Sequence, residues 1–382
     1  MVRLIMQQMT TRTRCTHGRD CGACALLGVT YSGQLRQKQE LLEQALQQHP
    51  ALRDVRPREC LPSPLQSGYR SRAKMAIGLG RRGAVEMGYF RTRSREIVDA
   101  PECVVLLPAI LRTTHGVRQF LKTSTAVPRT LRHVDIRCGS DPERQHVTLV
   151  FRTDAMPRFP FDALRNHVPA VDGISVNLNP TSGPQVIRGA VRHVWGEREV
   201  WVDHAGWRLR VSPAAFFQVN LALLPTIHRL MEAFFEGGDA LADLYAGVGT
   251  HGLALHSRFR RVFFAEGNRS AASDLKATIL GSEQGEFTVS PVAVERGLDK
   301  LLAAAPDAVV LNPSRVGADP KVLDAIARCP TRKLAYLSCD PETLCRDLAI
   351  LCSKEFAVRS IQPVDMMPQT RQVEALALLT RR

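Results

Sequence analysis

The chain has 382 residues, 45% apolar and 23% charged, which are ordinary globular values that exclude wholesale disorder, collagen-like and disulfide-knot architectures. That length predicts two or three domains with real cores. Its 51 Lys and Arg against 37 Asp and Glu give a net charge of +14, favouring a polyanionic partner, nucleic acid ahead of an anionic membrane surface.

The opening MVRLIMQQMTTRTRC lacks the apolar centre of a signal peptide. No later run reaches the roughly 20 apolar residues of a spanning helix, so a cytoplasmic protein with no membrane partner is expected. Ten cysteines are too sparse and irregular for a secreted disulfide framework, leaving core thiols, metal ligands or catalytic groups. Cys15, Cys21 and Cys24 cluster near the start, and with a distant fourth cysteine they would suit zinc or iron–sulfur, between which spacing does not choose. Basic charge is concentrated early: residues 1–205 carry 30 basic and 18 acidic side chains, residues 206–382 only 21 and 19. Within the basic half, the stretch from Tyr69 to Glu96 interleaves Arg and Lys with Tyr69, Tyr89 and Phe90. This pattern suits a surface that tracks an RNA backbone and offers stacking faces, the alternative being a plain solvated β-surface. Residues 114–205 alternate short β-like runs with turn residues and predict an antiparallel β-rich module.

From Gly206 the pattern changes to α/β. The apolar runs 240–247, 261–267, 307–313 and 333–341, separated by helix-length segments, predict βαβ units and a mostly parallel, Rossmann-like sheet buried on both faces. After the first run, Gly247, Gly249 and Gly252 match G-x-G-x-x-G, which allows close backbone approach to a nucleotide-like ligand. Glu266 closes the next strand, where a carboxylate can accept ribose hydroxyls, so a dinucleotide or S-adenosylmethionine fits equally at this point. Asp243 is expected to brace the glycine loop. Two further strand ends, Asn312-Pro313 and Ser338-Cys339-Asp340-Pro341, fall where open α/β sheets place ligands.

Taken together these stretches resemble the RNA uracil-C5 methyltransferases, and within them the large-subunit ribosomal RNA branch that lacks an N-terminal TRAM domain. The resemblance rests on C-x5-C-x2-C at Cys15, Cys21 and Cys24; YRSRAKM at 69–75; MGYF at 87–90; PAAFFQVN at 213–220; DLYAGVGTHGL at 243–253; NPSR at 312–315; YLSCDPETLCRDL at 336–348; and DMMPQTRQVEALALL at 365–379. With the first cluster cysteine at position 15, no TRAM barrel is expected ahead of it. Three positions depart from the family pattern: Ser314 replaces its second proline, and Gln369 and Gln372 stand where histidines are usual, which puts the support of Glu374 in question.

The resemblance implies three parts: residues 1–60 as an N-terminal iron–sulfur segment, 61–205 as a basic β-rich central RNA-binding domain, and 206–382 as an S-adenosylmethionine-dependent methyltransferase domain. It implies that Cys103 completes a 4Fe-4S cluster with Cys15, Cys21 and Cys24. It implies cofactor binding by Gln218, Tyr245, Glu266 and Asn312 beside Gly247 and Gly249. Cys339 would be the nucleophile that adds to C6 of uracil, activating C5 as an enolate-like carbon, and Glu374 the base that removes the C5 proton. Cys60, Cys138, Cys329, Cys345 and Cys352 are expected to be inert core thiols. The implied product is 5-methyluridine in 23S rRNA, made by a monomer. A transfer-RNA enzyme and a non-catalytic RNA-binding homologue are the alternatives, while a cytosine-C5 enzyme would carry cysteine at position 314.

Overall fold

The computed structural model describes residues 9–10, 12–80, 84–124, 127–183 and 185–382. Most of the opening segment read above for a leader, residues 1–8 and Thr11, lies outside the described residues, as do Arg81 and Arg82 of the basic stretch. The first regular element is helix α1 (Tyr31–Gln47), opened by the Thr30 side chain, which accepts from the Gly33 amide at 3.3 Å. Its apolar stripe places Leu42, Ala45 and Leu46 not against its sequence neighbours but in the core of the C-terminal sheet, beside Tyr336, Leu344 and Leu348.

The chain then builds a seven-stranded sheet from β1 (Arg72–Leu79), β2 (Val85–Phe90), β3 (Ile97–Asp99), β4 (Leu131–Cys138), β5 (Gln145–Phe151), β6 (Val171–Leu178) and β7 (Val191–Gly196). The order is β3-β2-β1-β4-β5-β6-β7, and helices α2 (Pro108–Thr123) and α3 (Phe161–His167) supply Ile110, Val117, Phe120 and Leu164 to its core. The antiparallel expectation for this region is corrected at one pair: β5 and β6 run parallel, joined through α3. Alternation reports which face is buried and not which way a strand runs. Strand β5, buried at all seven positions, has the two-sided burial typical of a parallel strand.

A hairpin of β8 (Val200–His204) and β9 (Trp207–Val211) follows. The expected boundary near residue 205 falls at its turn, and Val202, Trp207 and Leu209 pack with Leu241 and Phe264 of the second sheet. That sheet consists of β10 (Gly238–Leu244), β11 (Phe259–Ala265), β12 (Glu286–Ser290), β13 (Ala308–Leu311), β14 (Lys333–Ser338), β15 (Phe356–Val364) and β16 (Glu374–Arg381), ordered β12-β11-β10-β13-β14-β16-β15. The helices around it are α4 (Leu224–Phe234), α5 (Thr250–Leu255), α6 (Arg269–Ile279), α7 (Leu298–Ala304), α8 (Pro320–Arg328) and α9 (Pro341–Ser353). Alternate residues of each central strand enter opposite cores: Ala242, Val309 and Leu334 on one face, Leu241, Val310 and Ala335 on the other. The apolar runs of the sequence correspond to β10, β11, β13 and β14, whereas β16, inserted antiparallel between β14 and β15, departs from the mostly parallel pattern. Strand order reverses at β10 and β13, so the crevice at their carboxyl ends is the switch point where such sheets bind ligands. Among the described residues no helix is long and apolar enough to cross a membrane.

A buried ion pair fastens α1 to the segment ahead of β16. Lys38 and Asp365 are both fully buried and paired, Lys38 also donates to the Met367 carbonyl at 3.0 Å, and Tyr31 donates to Asp365 at 2.8 Å. Removing one charge strands the other without solvent, so Lys38→Met is expected to cost about 3–5 kcal/mol in urea unfolding. The double variant Lys38→Met/Asp365→Leu should recover most of that loss, and a double variant no more stable than the single one would contradict this reading.

Candidate active site

The crevice begins with backbone geometry. After β10 the chain takes positive φ at Tyr245 (60°), Gly247 (59°) and Gly249 (86°) before entering α5. At Gly249 a Cβ would lie 2.5 Å from a Leu275 methyl, and at Gly247 it would project into open space, so the backbone itself faces the crevice there. Tyr245 is a bulky residue in the left-handed region, a strain seen where a site dictates conformation; its hydroxyl donates to Glu295 at 2.8 Å. Asp243 braces the turn as expected, accepting from the Gly252 amide at 2.7 Å, and burial pushes its carboxyl up to about 7. Glu266 reaches back from β11 to accept the Gly247 amide at 2.8 Å.

Gln218 lies on the connector 212–220, which the structure anchors from three sides. Arg137 of β4, almost fully buried, donates to the carbonyls of Ser212 (2.9 Å), Pro213 (2.8 Å) and Ala215 (3.2 Å). Asn268 donates to Ala214 at 3.3 Å, and Asn220 reaches the Met366 carbonyl at 3.2 Å. Sequence reasoning missed Arg137 among many arginines, because only its burial, which lowers its pKa to about 9, distinguishes it. Asn312 follows β13, with its side-chain amide 3.2 Å from His251.

Cys339 and Glu374 meet through strand register. In the antiparallel β14/β16 pair the last rung sets Ser338 opposite Ala375, and Cys339 and Glu374 follow directly beyond it, near enough for the Glu374 charge to act on the thiol. Glu374 is not the surface carboxylate that its local sequence suggests: it is 7% exposed, and burial raises its pKa from 4.5 to about 7 against the opposing pull of Arg315. The Cys339 thiol is pushed up by burial and then by the Glu374 charge, while Arg315 draws it down. Cys339 and Arg315 line a cleft of about 360 Å³ that Arg371, Gln372, Gln44 of α1 and Gln48 just beyond it complete. Gln369, where histidine was expected, is well supported. It is fully buried at φ 72°, donates to Thr13 (2.8 Å) and the Gln66 carbonyl (3.1 Å), and exchanges two 2.9 Å bonds with Gln34.

The aromatic reading of the basic stretch needs correction. Tyr69 is 3% exposed and donates to the Pro368 carbonyl at 3.0 Å, and Tyr89 packs against Cys103, which leaves Phe90, 44% exposed, as a stacking face. Apolar ring area drew Tyr69 into the core and left Tyr89 partly buried against it. The five thiols assigned to the core, Cys60, Cys138, Cys329, Cys345 and Cys352, are free and buried.

Cys15, Cys21, Cys24 and Cys103 are also free thiols. Among the described residues no three His, Cys, Asp or Glu side chains are drawn into a metal-binding arrangement. The four nevertheless lie within electrostatic reach of one another: burial pushes Cys24 up to about 12, with Cys103, Cys21 and Cys15 adding to the rise. Arg70, which opposes the shift at Cys24 and Cys103, keeps its buried Nε without a hydrogen-bond partner. Four thiols and a cation with an unpartnered Nε are a donor set and counter-charge that suit a thiolate-ligated, anionic group.

Residues 297–382 match the family model described as tRNA (uracil-5-)-methyltransferase. An uncharacterized RNA methyltransferase of Thermosynechococcus vestitus is 32% identical over 387 residues, covering 97% of this chain and 84% of the relative. One of Halalkalibacterium halodurans is 27% identical and covers 96% of this chain and 82% of its own length. The tRNA (uracil-54, C5)-methyltransferase of Pyrococcus abyssi, solved with S-adenosyl-L-homocysteine, has a TM-score of 0.77 at 24% identity, covering 97% of this chain and 85% of that one. At that identity the likeness concerns the fold.

The coupling of Cys339, Glu374 and Arg315 can be read by thiol alkylation. Glu374→Gln removes a negative neighbour and should lower the Cys339 pKa, speeding iodoacetamide labelling several-fold at mildly alkaline pH. Arg315→Ala should slow it, and equal rates in all three proteins would dissolve the coupling. Because the folded pKa of Glu374 lies near 7 against an ordinary 4.5, its favourable contribution is present below 4.5 and lost as pH rises through about 7. Glu374→Gln should flatten stability across that window.

Proposed function

The chain belongs to the RNA uracil-C5 methyltransferase family, and from that premise we propose that it methylates C5 of a uridine in large-subunit ribosomal RNA, acting as a monomer, through a covalent adduct with Cys339. The observation that carries this reading is the end of the β14/β16 pairing, which brings Cys339 close to Glu374, with Arg315 influencing both. S-adenosylmethionine would be held by Gln218, Tyr245, Glu266 and Asn312 around the Gly247–Gly249 turn.

The chemistry follows from the charge arrangement. The Cys339 thiol gives its proton to solvent, the thiolate adds to C6 of the uracil ring, and the displaced electron pair makes C5 nucleophilic. C5 takes the methyl group, and S-adenosylhomocysteine leaves. Glu374 then accepts the C5 proton, C5–C6 unsaturation returns, and the thiolate is expelled. Two adjacent buried anions are costly, so a protonated Glu374 permits the thiolate; once Cys339 is a neutral thioether, Glu374 can ionise and serve as base. A carboxyl near 7 matches that duty, for which a positioned base contributes about 10² to 10⁴ in rate.

Ribosomal RNA is favoured by the cysteine set and Asn312, both features of that branch, and by the positive excess of residues 1–205. Transfer RNA is the competing substrate, in keeping with the description of the matching family model. We assign residues 1–60 to a cluster-bearing segment, 61–205 to RNA binding and 206–382 to methyl transfer. Cys15, Cys21, Cys24 and Cys103 would hold a 4Fe-4S cluster whose role is to tie the N-terminal segment to the first sheet. Protein purified without oxygen is then expected to contain about four irons and four sulfides, and Cys103→Ala to lose them; full occupancy in that variant removes Cys103 from the set.

The trapping experiment uses Glu374→Gln with S-adenosylmethionine and fragments of ribosomal or transfer RNA. A methylated protein–RNA adduct is expected on denaturing gels and by mass spectrometry, absent in the Cys339→Ala background, and sequencing the trapped RNA names the uridine. Cofactor binding without any adduct would favour a non-catalytic RNA-binding homologue.

A further inference from the structure

Three imidazoles run in single file from the β8–β9 hairpin to the proposed cofactor crevice. His204 Nε2 lies 2.7 Å from His228 Nδ1, His228 Nε2 lies 2.8 Å from His251 Nδ1, and His251 Nε2 lies 3.2 Å from Asn312 Nδ2. The rings belong to β8, α4 and α5. His228 and His251 are 3% and 2% exposed, while His204 is half-buried at the outer end. Burial holds both inner rings neutral, with His251 lowered to about 4 and His228 well below its ordinary value, the neighbouring histidines adding to the effect.

A neutral imidazole has one N–H and one lone pair, so the direction of any link dictates the direction of the next. With Asn312 donating from Nδ2, His251 accepts at Nε2 and donates from Nδ1; His228 accepts at Nε2 and donates from Nδ1; His204 accepts. The same contacts admit one other complete arrangement, in which His204 donates and every link is reversed. His251 Nε2–H then meets Asn312, and only Oδ1 can accept it, so the carboxamide must turn over.

We propose that His204, His228 and His251 are positioning residues that set which end of the Asn312 carboxamide faces the cofactor. In the direction set by a donating Asn312, Nδ2 is tied to His251 and Oδ1 is left to accept an N–H donor of S-adenosylmethionine, its adenine amino group or its ammonium. The proposal rests on the assignment of Asn312 to the cofactor site made above. It also explains why three histidines, each poor at donating and accepting alone in an apolar interior, are stacked in contact: satisfied end to end, the inner two leave no ring nitrogen unpaired.

The test exploits the outer end. Lysine offers donors and no acceptor, so His204→Lys imposes the reversed direction, whereas His204→Gln can serve either. S-adenosylmethionine affinity of the full chain, measured by calorimetry, should fall about tenfold in His204→Lys, the scale of one mismatched buried hydrogen bond, and stay within about twofold in His204→Gln. In an Asn312→Ala background His204→Lys should cause no further loss. If Asn312→Ala weakens binding but His204→Lys does not, or if His204→Lys costs the same in both backgrounds, the chain does not act through Asn312 and the proposal fails. If Asn312→Ala binds as the wild type does, the cofactor assignment of Asn312 fails first and takes the proposal with it. Nitrogen NMR of the unmodified protein reads the direction without any substitution: Nδ1–H tautomers at His228 and His251 are expected, and Nε2–H tautomers would overturn it.

Discussion

The site depends on the insertion of β16 between β14 and β15. Because side chains alternate along a strand, slipping this antiparallel register by one residue would turn Glu374 to the opposite face and separate it from Cys339. Ladder bonds from Ser338/Ala375 down to Lys333/Thr380 hold the register on one side, and those to β15 hold it on the other. Glu374 at the start of β16 and Cys339 just past the end of β14 are thus placed by two strands of which neither is an edge.

The segments around that pairing are irregular, and buried polar groups substitute for regular structure. Arg137 satisfies three carbonyls of the connector that carries Gln218. Lys38 and Asp365 pin the chain before β16 to α1, and Gln369 joins Gln34, Thr13 and Gln66 across more than 300 residues of sequence. Each such group is expensive to bury and repays that cost only when fully hydrogen-bonded. The positive φ at Gln369 fits this picture: a strained residue persists because its surroundings over-determine it.

Much of the architecture was legible early because its causes are local. Two-sided burial forces continuous apolar runs, which marked β10, β11, β13 and β14, and a tight strand-to-helix turn forces glycine, which marked the crevice. Cys339 stood out for a related reason, a polar residue at the carboxyl end of a buried strand. The direction of β6 against β5 was not legible, because alternation carries no information about strand direction. The tyrosines of the basic stretch misled because composition names a residue without saying which face it occupies; Tyr69 turned inward, Tyr89 is partly buried and Phe90 is exposed.

What the sequence determined by itself was therefore the α/β class, the basic early half, the glycine turn and, with the family motifs, the residues proposed to react. Only the tertiary structure decided that Glu374 is buried beside Cys339, that Arg137 holds the connector 212–220, that α1 belongs to the C-terminal core and that three histidines stand in line behind Asn312. Their partners lie from 23 to more than 300 residues away in the chain. Burial, and the pKa shifts and hydrogen-bond directions that follow from it, are properties of what surrounds a side chain in space, and no window of sequence contains those surroundings.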